Sequence, residues 1–254
     1  NLILTSPQGN QDKSIDINVD NFERLSFAKF LIACYEQGFD NMNLVFSKKT
    51  INSWSHNDEG ITDVINFFVG RLIGFEILSQ TKNSIKIGNL AEKHVKFEST
   101  LSRIFFLIEE YISNYIESKD LKDLKDGESR HDNITKMIAL CQREIFESET
   151  FSKTEALNYS IILNSLDKAI DFLRYAYKNT KKSENEIAKD SLKFFDLYRS
   201  FFNKFSYDKI NQLDQLRGKI KKQNKNIVTS QFDAFVETVH GIIKSRIALE
   251  IGSK

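Results

Sequence analysis

The chain has 254 residues, 41% hydrophobic and 28% charged, which suits a folded protein with room for two modest domains and excludes a disordered one. Thirty-six Lys and Arg against 35 Asp and Glu leave a formal net charge of +1, so no global field draws the chain to nucleic acid or to an anionic membrane. The most apolar run, residues 104–116, is broken by Glu109 and Glu110 and falls short of the roughly 18 uninterrupted apolar residues of a membrane span. No membrane insertion is expected.

Leu2-Ile3-Leu4-Thr5 is strand-like and is followed by Pro7 and Gly9. It reads as the closing strand of something that begins before Asn1, with residues 1–12 as remnant and linker. Ser14-Ile15-Asp16-Ile17-Asn18-Val19 alternates and predicts a strand. Residues 21–37 carry Phe22, Leu25, Ala28, Ile32 and Tyr35 at helical spacing, and Gly38 follows as a left-handed cap. Residues 42–46 predict a second strand. Val64, Ile65, Phe68, Leu72 and Ile73 predict a helix over 61–73, closed by Gly74. Residues 75–78 and 84–87 predict two further strands, joined by a hairpin turn at Thr81-Lys82-Asn83. The order β-α-β-α-β-β over residues 13–95 predicts a small sheet with helices on one face.

From residue 98 the pattern is helical throughout. Pro7 is the only proline, so long helices are permitted. One apolar stripe runs from Leu101 through Ile108 to Ile116, a second from Ile134 through Cys141 to Ile145, and a third from Ala156 through Leu166 to Leu173. Three more helices follow over residues 186–205, 207–222 and 227–251. The first of these is heavy in Phe194, Phe195, Phe201 and Phe202, read mostly as core. Six helices in two triplets, residues 96–180 and 181–254, hint at an internal duplication. The predicted fold class is therefore α+β: a small β-α-β-α-β-β domain, then an all-α region of two three-helix bundles.

Little points to nucleophilic catalysis. His56, His94, His131 and His240 have no metal-pair spacing and read as surface residues, and no serine lies in a nucleophile elbow. Cys34 and Cys141 sit in apolar helical patterns and read as reduced core thiols in a reducing, cytoplasmic compartment. The carboxylates carry more. Asp167 and Asp171 stand one helical turn apart, and Glu128 and Asp132 repeat that spacing on the preceding helix. If the two helices cross nearby, four carboxylates face a common region, where a hard cation would remove their repulsion. Equally, Glu128 and Asp132 suit a helix N-terminus on electrostatic grounds alone. The basic run Arg217-Gly218-Lys219-Ile220-Lys221-Lys222, with Lys225, reads as the cationic end of a helix or as a phosphate- or nucleic-acid-binding patch.

Residues 28–40 (AKFLIACYEQGFD), 71–81 (RLIGFEILSQT) and 83–87 (NSIKI), in that order before a helical region, resemble the archaeal PhoU-type regulators of phosphate uptake. Tyr35, Gly38, Asp40, Leu72, Ile73, Gly74, Glu76 and Ile77 carry the likeness, and Asp167-Lys168-Ala169-Ile170-Asp171 corresponds to the family's carboxylate segment. The resemblance implies two three-helix bundles, a homodimer, and a divalent or iron-type metal at Glu128, Asp132, Asp167 and Asp171. It implies no catalytic activity, and control of phosphate uptake by contact with a transporter or sensor. Thr135 stands where the family carries a further Asp. In the second triplet Glu237 aligns with Asp167, and Gly241 falls where the counterpart of Asp171 would be. Many such proteins begin with an AbrB-like DNA-binding domain, of which residues 2–5 resemble the last strand. Nucleic-acid binding would then belong to that missing domain. The rival readings are the effector-sensing and dimerisation part of an AbrB–PhoU transcription regulator, a metal-dependent hydrolase on a helical bundle, and a helical adaptor without ligand.

Overall fold

The computed structural model describes residues 4–5, 13–53, 58–90, 96–118, 126–180, 185–223 and 226–252. The chain divides into two compact units, residues 1–96 with 139–148, and residues 97–138 with 149–254. The first is the α/β unit and the second is helical. Among the described residues no helix is long and apolar enough to cross a membrane.

The α/β unit is built on strands β1 (Leu4–Thr5), β2 (Ser14–Asn18), β3 (Asn41–Val45), β6 (Phe75–Gln80) and β7 (Ser84–Asn89), with helices α1 (Arg24–Glu36) and α2 (Ile61–Val69). A separate two-stranded ribbon pairs β4 (Thr50–Ile51) with β5 (Glu59–Gly60). The sheet order is β1-β2-β3-β7-β6, with β2 and β3 parallel and the other pairs antiparallel. Side chains alternate across a strand. Ile15, Ile17, Met42, Leu44, Ile85 and Ile87 are buried on one face, where Phe27, Leu31, Val64, Ile65 and Phe68 of α1 and α2 join them in one core. Asp16, Asn43 and Lys86 lie in register on the other. The alternation in the sequence is thus the pleat of a sheet covered on one side.

The glycine signals resolve differently. Gly38 has φ +77°, the left-handed cap that ends α1. Gly74 also has positive φ, +85°, but the helix expected to reach it stops at Val69, with Gly70 as its cap. The chain then turns through three-residue hydrogen bonds, Arg71 N to Phe68 O and Leu72 N to Val69 O, and Gly74 immediately precedes β6. Leu72 is buried from this turn, not from a helix. Cys34 and Cys141 are buried and unbonded, as the sequence implies. Burial pushes their thiols up to about 11 and about 12, which keeps them protonated and unreactive.

Helix α4 (Gly127–Glu147) supplies residues 139–148 to this unit. Ala139 and Leu140 enter its core. Arg143 is 3% exposed, and its guanidinium donates to the carbonyls of Tyr35 (3.1 Å) and Phe39 (2.8 Å) and to Asp40 Oδ1 (2.6 Å), and pairs with Glu147. It also lies over the rings of Tyr35 and Phe75, at 5.2 and 5.3 Å. Asp40 in turn accepts from Lys13 N, and its carbonyl accepts from Asn89 N.

The helical unit holds α3 (Phe97–Glu117), the first part of α4, α5 (Lys153–Asn179), α6 (Asn185–Asn203), α7 (Tyr207–Lys221), α8 (Ile227–Gly241) and α9 (Ile243–Gly252). α3 packs on α6, and α5 packs on α8 and α9. Its core is aromatic: Phe105, Phe194, Phe195, Tyr198, Phe201, Phe232 and Phe235 are buried, as expected for the phenylalanines of α6. The α5–α6 connection falls inside this one unit. The last expected helix is interrupted after Gly241, where Ile242 N bonds Val239 O and Ser245 N bonds Ile242 O. Glycine costs a helix interior about 1 kcal/mol, so the break falls where continuation is weakest.

Replacing Arg143 by Ala takes the guanidinium from the Asp40 carboxylate and the Phe39 carbonyl, while Tyr35 O keeps its bond from Gly38 N, and is expected to cost on the order of 3 kcal/mol or more. Arg143→Lys is expected to recover little, because one ammonium cannot serve a forked set of acceptors. Urea unfolding checks both, and a loss under about 1 kcal/mol for Arg143→Ala would show the clasp to be dispensable.

Candidate metal centre

The start of α4 is held by aromatic residues of α3 and α5. Tyr111 OH donates to Gly127 O (2.9 Å), Tyr177 OH donates to Tyr111 O (2.5 Å), and the two rings stack with centroids 4.7 Å apart. A Cβ at Gly127 would lie 2.9 Å from the Tyr177 ring, so only glycine permits this approach. The first turns of α4 therefore lie beside α5.

The four carboxylates expected from spacing are all in this region, and the side chain at their centre is one the sequence reading placed on the surface. His131 is 6% exposed. Its Nε2 lies 3.2 Å from Asp171 Oδ1 and its Nδ1 lies 3.4 Å from Asp132 Oδ1. One ligand atom each of Glu128, His131 and Asp132 lie within 4.8 Å of one another. Asp167 sits one turn before Asp171, half-buried beside Thr135, whose hydroxyl also donates to His131 O (3.2 Å). Thr135 thus meets the centre as a hydrogen-bonding group, where a further Asp would bring another charge. Of the other histidines, His240 pairs with Asp214 at 2.6 Å, and His56 and His94 lie outside the described residues.

Cations are already present. Lys178 pairs with Glu128, and Arg174 lies 2.7 Å from Asp171 and 3.9 Å from Glu128. Lys168 reaches Asp171 at 3.8 Å. Burial alone would raise the Asp171 carboxyl, but the His131 hydrogen bond and the charge of Arg174 outweigh it and hold it below its ordinary value. Burial and the Asp171 charge push Asp167 above its ordinary value. Two carboxylates one turn apart are thus driven in opposite directions.

The donor set fits a divalent metal of the iron, manganese or zinc type, which accepts imidazole with carboxylate. A neutral imidazole donates through one nitrogen only. With Nε2–H directed at Asp171, Nδ1 with its lone pair lies 3.4 Å from Asp132 Oδ1, an arrangement that a metal ion between them would make favourable. A carboxylate on the far nitrogen is also the usual orienting partner of a metal-bound histidine. Lys178 competes for Glu128 and must leave it for a metal to bind there.

The second-triplet carboxylate has another role. Glu237 accepts from Arg217 through both oxygens, at 2.7 and 2.8 Å, and Lys221 lies 3.1 Å away. These hydrogen bonds and charges lower its carboxyl to about 2. In the same basic run Lys219 lies 2.9 Å from Asp190, and Lys225 lies outside the described residues. No family model, curated protein or solved structure matches the chain.

The two shifts make opposite predictions. Asp171, depressed in the folded state, contributes stability that is present above its ordinary pKa and lost as pH falls. Asp167, raised in the folded state, favours folding when protonated, a contribution lost as pH rises. Asp167→Asn is therefore expected to raise the Tm at pH 7 and to have a shrinking effect towards pH 4, whereas Asp171→Asn lowers it at pH 7. Thermal unfolding across this range checks the signs, and a stabilising Asp171→Asn would contradict the account.

Proposed function

We propose that the protein is a regulator of the PhoU type, acting by contact with a phosphate transporter or sensor and not by catalysis. One observation carries the reading: the carboxylates that the resemblance names, Glu128, Asp132, Asp167 and Asp171, lie on successive helices and surround His131. The resemblance itself rests on short segments, and of these Tyr35, Phe39 and Asp40 are the residues that grip Arg143. On this reading α3–α5 and α6–α9 are the two three-helix bundles, with α8 and α9 together in place of one helix, and the regulator is a cytoplasmic homodimer.

A metal bound here would supply fixed positive charge between α4 and α5. Glu128, Asp132 and His131 Nδ1 would hold it. Asp171 would orient the imidazole through Nε2, and Thr135 would keep Asp167 in place. The rest follows from population shift: a partner that prefers the ion-loaded helical unit is bound more tightly when the ion is present.

Elemental mass spectrometry of anaerobically purified protein is expected to show stoichiometric metal that His131→Ala and Asp132→Asn abolish. Lys178→Met, by removing the competing ammonium, is expected to tighten it. Disruption of the gene in its host is expected to leave phosphate uptake high in phosphate-rich medium. Unchanged uptake would sink the phosphate reading, and metal-free protein would sink the ion-loaded one.

A further inference from the structure

The helices of the helical unit are not fastened alike. α6 buries Phe194, Phe195, Tyr198 and Phe201, and α8 buries Phe232, Phe235, Val236 and Val239. α7, with 15 residues, buries only Leu213 and Ile220. Its other apolar side chains contribute less, since Ile210 and Leu216 are half-buried and Tyr207 is 77% exposed. Its N-cap, Ser206, makes no side-chain capping bond, so the first turn relies on the charges of Asp208 and Lys209.

Charge takes the place of apolar burial. Arg217 and Lys221 hold Glu237 of α8. His240 of α8 reaches Asp214 at 2.6 Å. Lys219 holds both carboxylate oxygens of the buried Asp190 of α6, at 3.0 and 2.9 Å, and Gln223 just beyond α7 donates to its Oδ2 at 2.7 Å. Lys209 donates to the carbonyls of Ser200 and Lys204 at the end of α6. The Glu237 and Asp214 pairs, a quarter or more exposed, are screened by salt, whereas apolar burial is not weakened that way, and the buried Asp190 is the carboxylate that salt reaches least.

We infer that α7 is a strap: it undocks from α6 and α8 as a unit, held by ion pairs, under conditions that leave the aromatic core of the helical unit folded. Undocking uncovers the apolar seats of Leu213 and Ile220, a surface that a contact regulator can hide or offer. The inference depends neither on the metal nor on the phosphate reading.

Hydrogen exchange of the full chain, read by mass spectrometry, tests it. Between about 0.05 M and about 1 M NaCl, where the screening length falls to ~3 Å, amides of residues 208–221 are expected to lose protection by roughly tenfold relative to those of α5 and α8. Glu237→Gln is expected to do the same at low salt, and Asp214→Asn to act in the same direction more weakly. If α7 keeps pace with α8 in every condition, or if Leu213→Ala releases it while Glu237→Gln does not, apolar packing holds the helix and the strap does not exist.

Discussion

A guanidinium that water cannot reach must find every partner within the protein, and Arg143 does so at the point where the sheet begins. Its acceptors are the turn closed by Gly38, the carboxylate of Asp40, and Glu147 one helical turn further on. Asp40 is also where the backbone enters β3, with hydrogen bonds to Lys13 on one side and Asn89 on the other. The register of β2, β3 and β7 and the seat of the last turns of α4 therefore share one buried charge. The geometry tolerates little change: a Cβ on Gly38 would lie 3.0 Å from Glu147 Cγ, in a backbone conformation that already disfavours side chains.

The helical unit uses charge in two ways. At the centre near His131, half-buried and exposed carboxylates are opposed by Arg174, Lys178 and Lys168, and the imbalance between Asp167 and Asp171 follows from which of them the cations and the imidazole reach. Along α7 the ion pairs stand in for apolar contact. On the proposed reading the first arrangement would exchange a side-chain cation for a metal ion, and the second would be loosened without disturbing the core.

Much of the fold was legible. Strict alternation in residues 14–18 and 84–87 could only bury one face, and the long apolar stripes after residue 97 had no proline to break them. The errors came where local signals competed. Gly74 carried the positive φ expected of a helix cap, yet Gly70 ended the helix first. His131 was the residue of the candidate centre that was missed, although Glu128-Ser129-Arg130-His131 is a Glu-x-x-His step that puts both side chains on one helical face. A histidine ahead of an acidic residue resembles an exposed one until the neighbouring helix is in place. Arg143 was hidden for a similar reason, since nothing in a single helical stripe distinguishes an arginine that faces solvent from one that faces carbonyls.

By itself, the sequence determined the class of fold, the reduced state of the two cysteines and the spacing that puts Glu128 with Asp132 and Asp167 with Asp171. These follow from periodicities of two and 3.6 residues and from side-chain chemistry, which are local. Only the tertiary structure decided that the two carboxylate pairs share a histidine, that Glu237 answers to Arg217 and that Arg143 is buried. Those facts depend on which elements lie side by side, and residues 20 to 108 positions apart in the chain must meet before they hold.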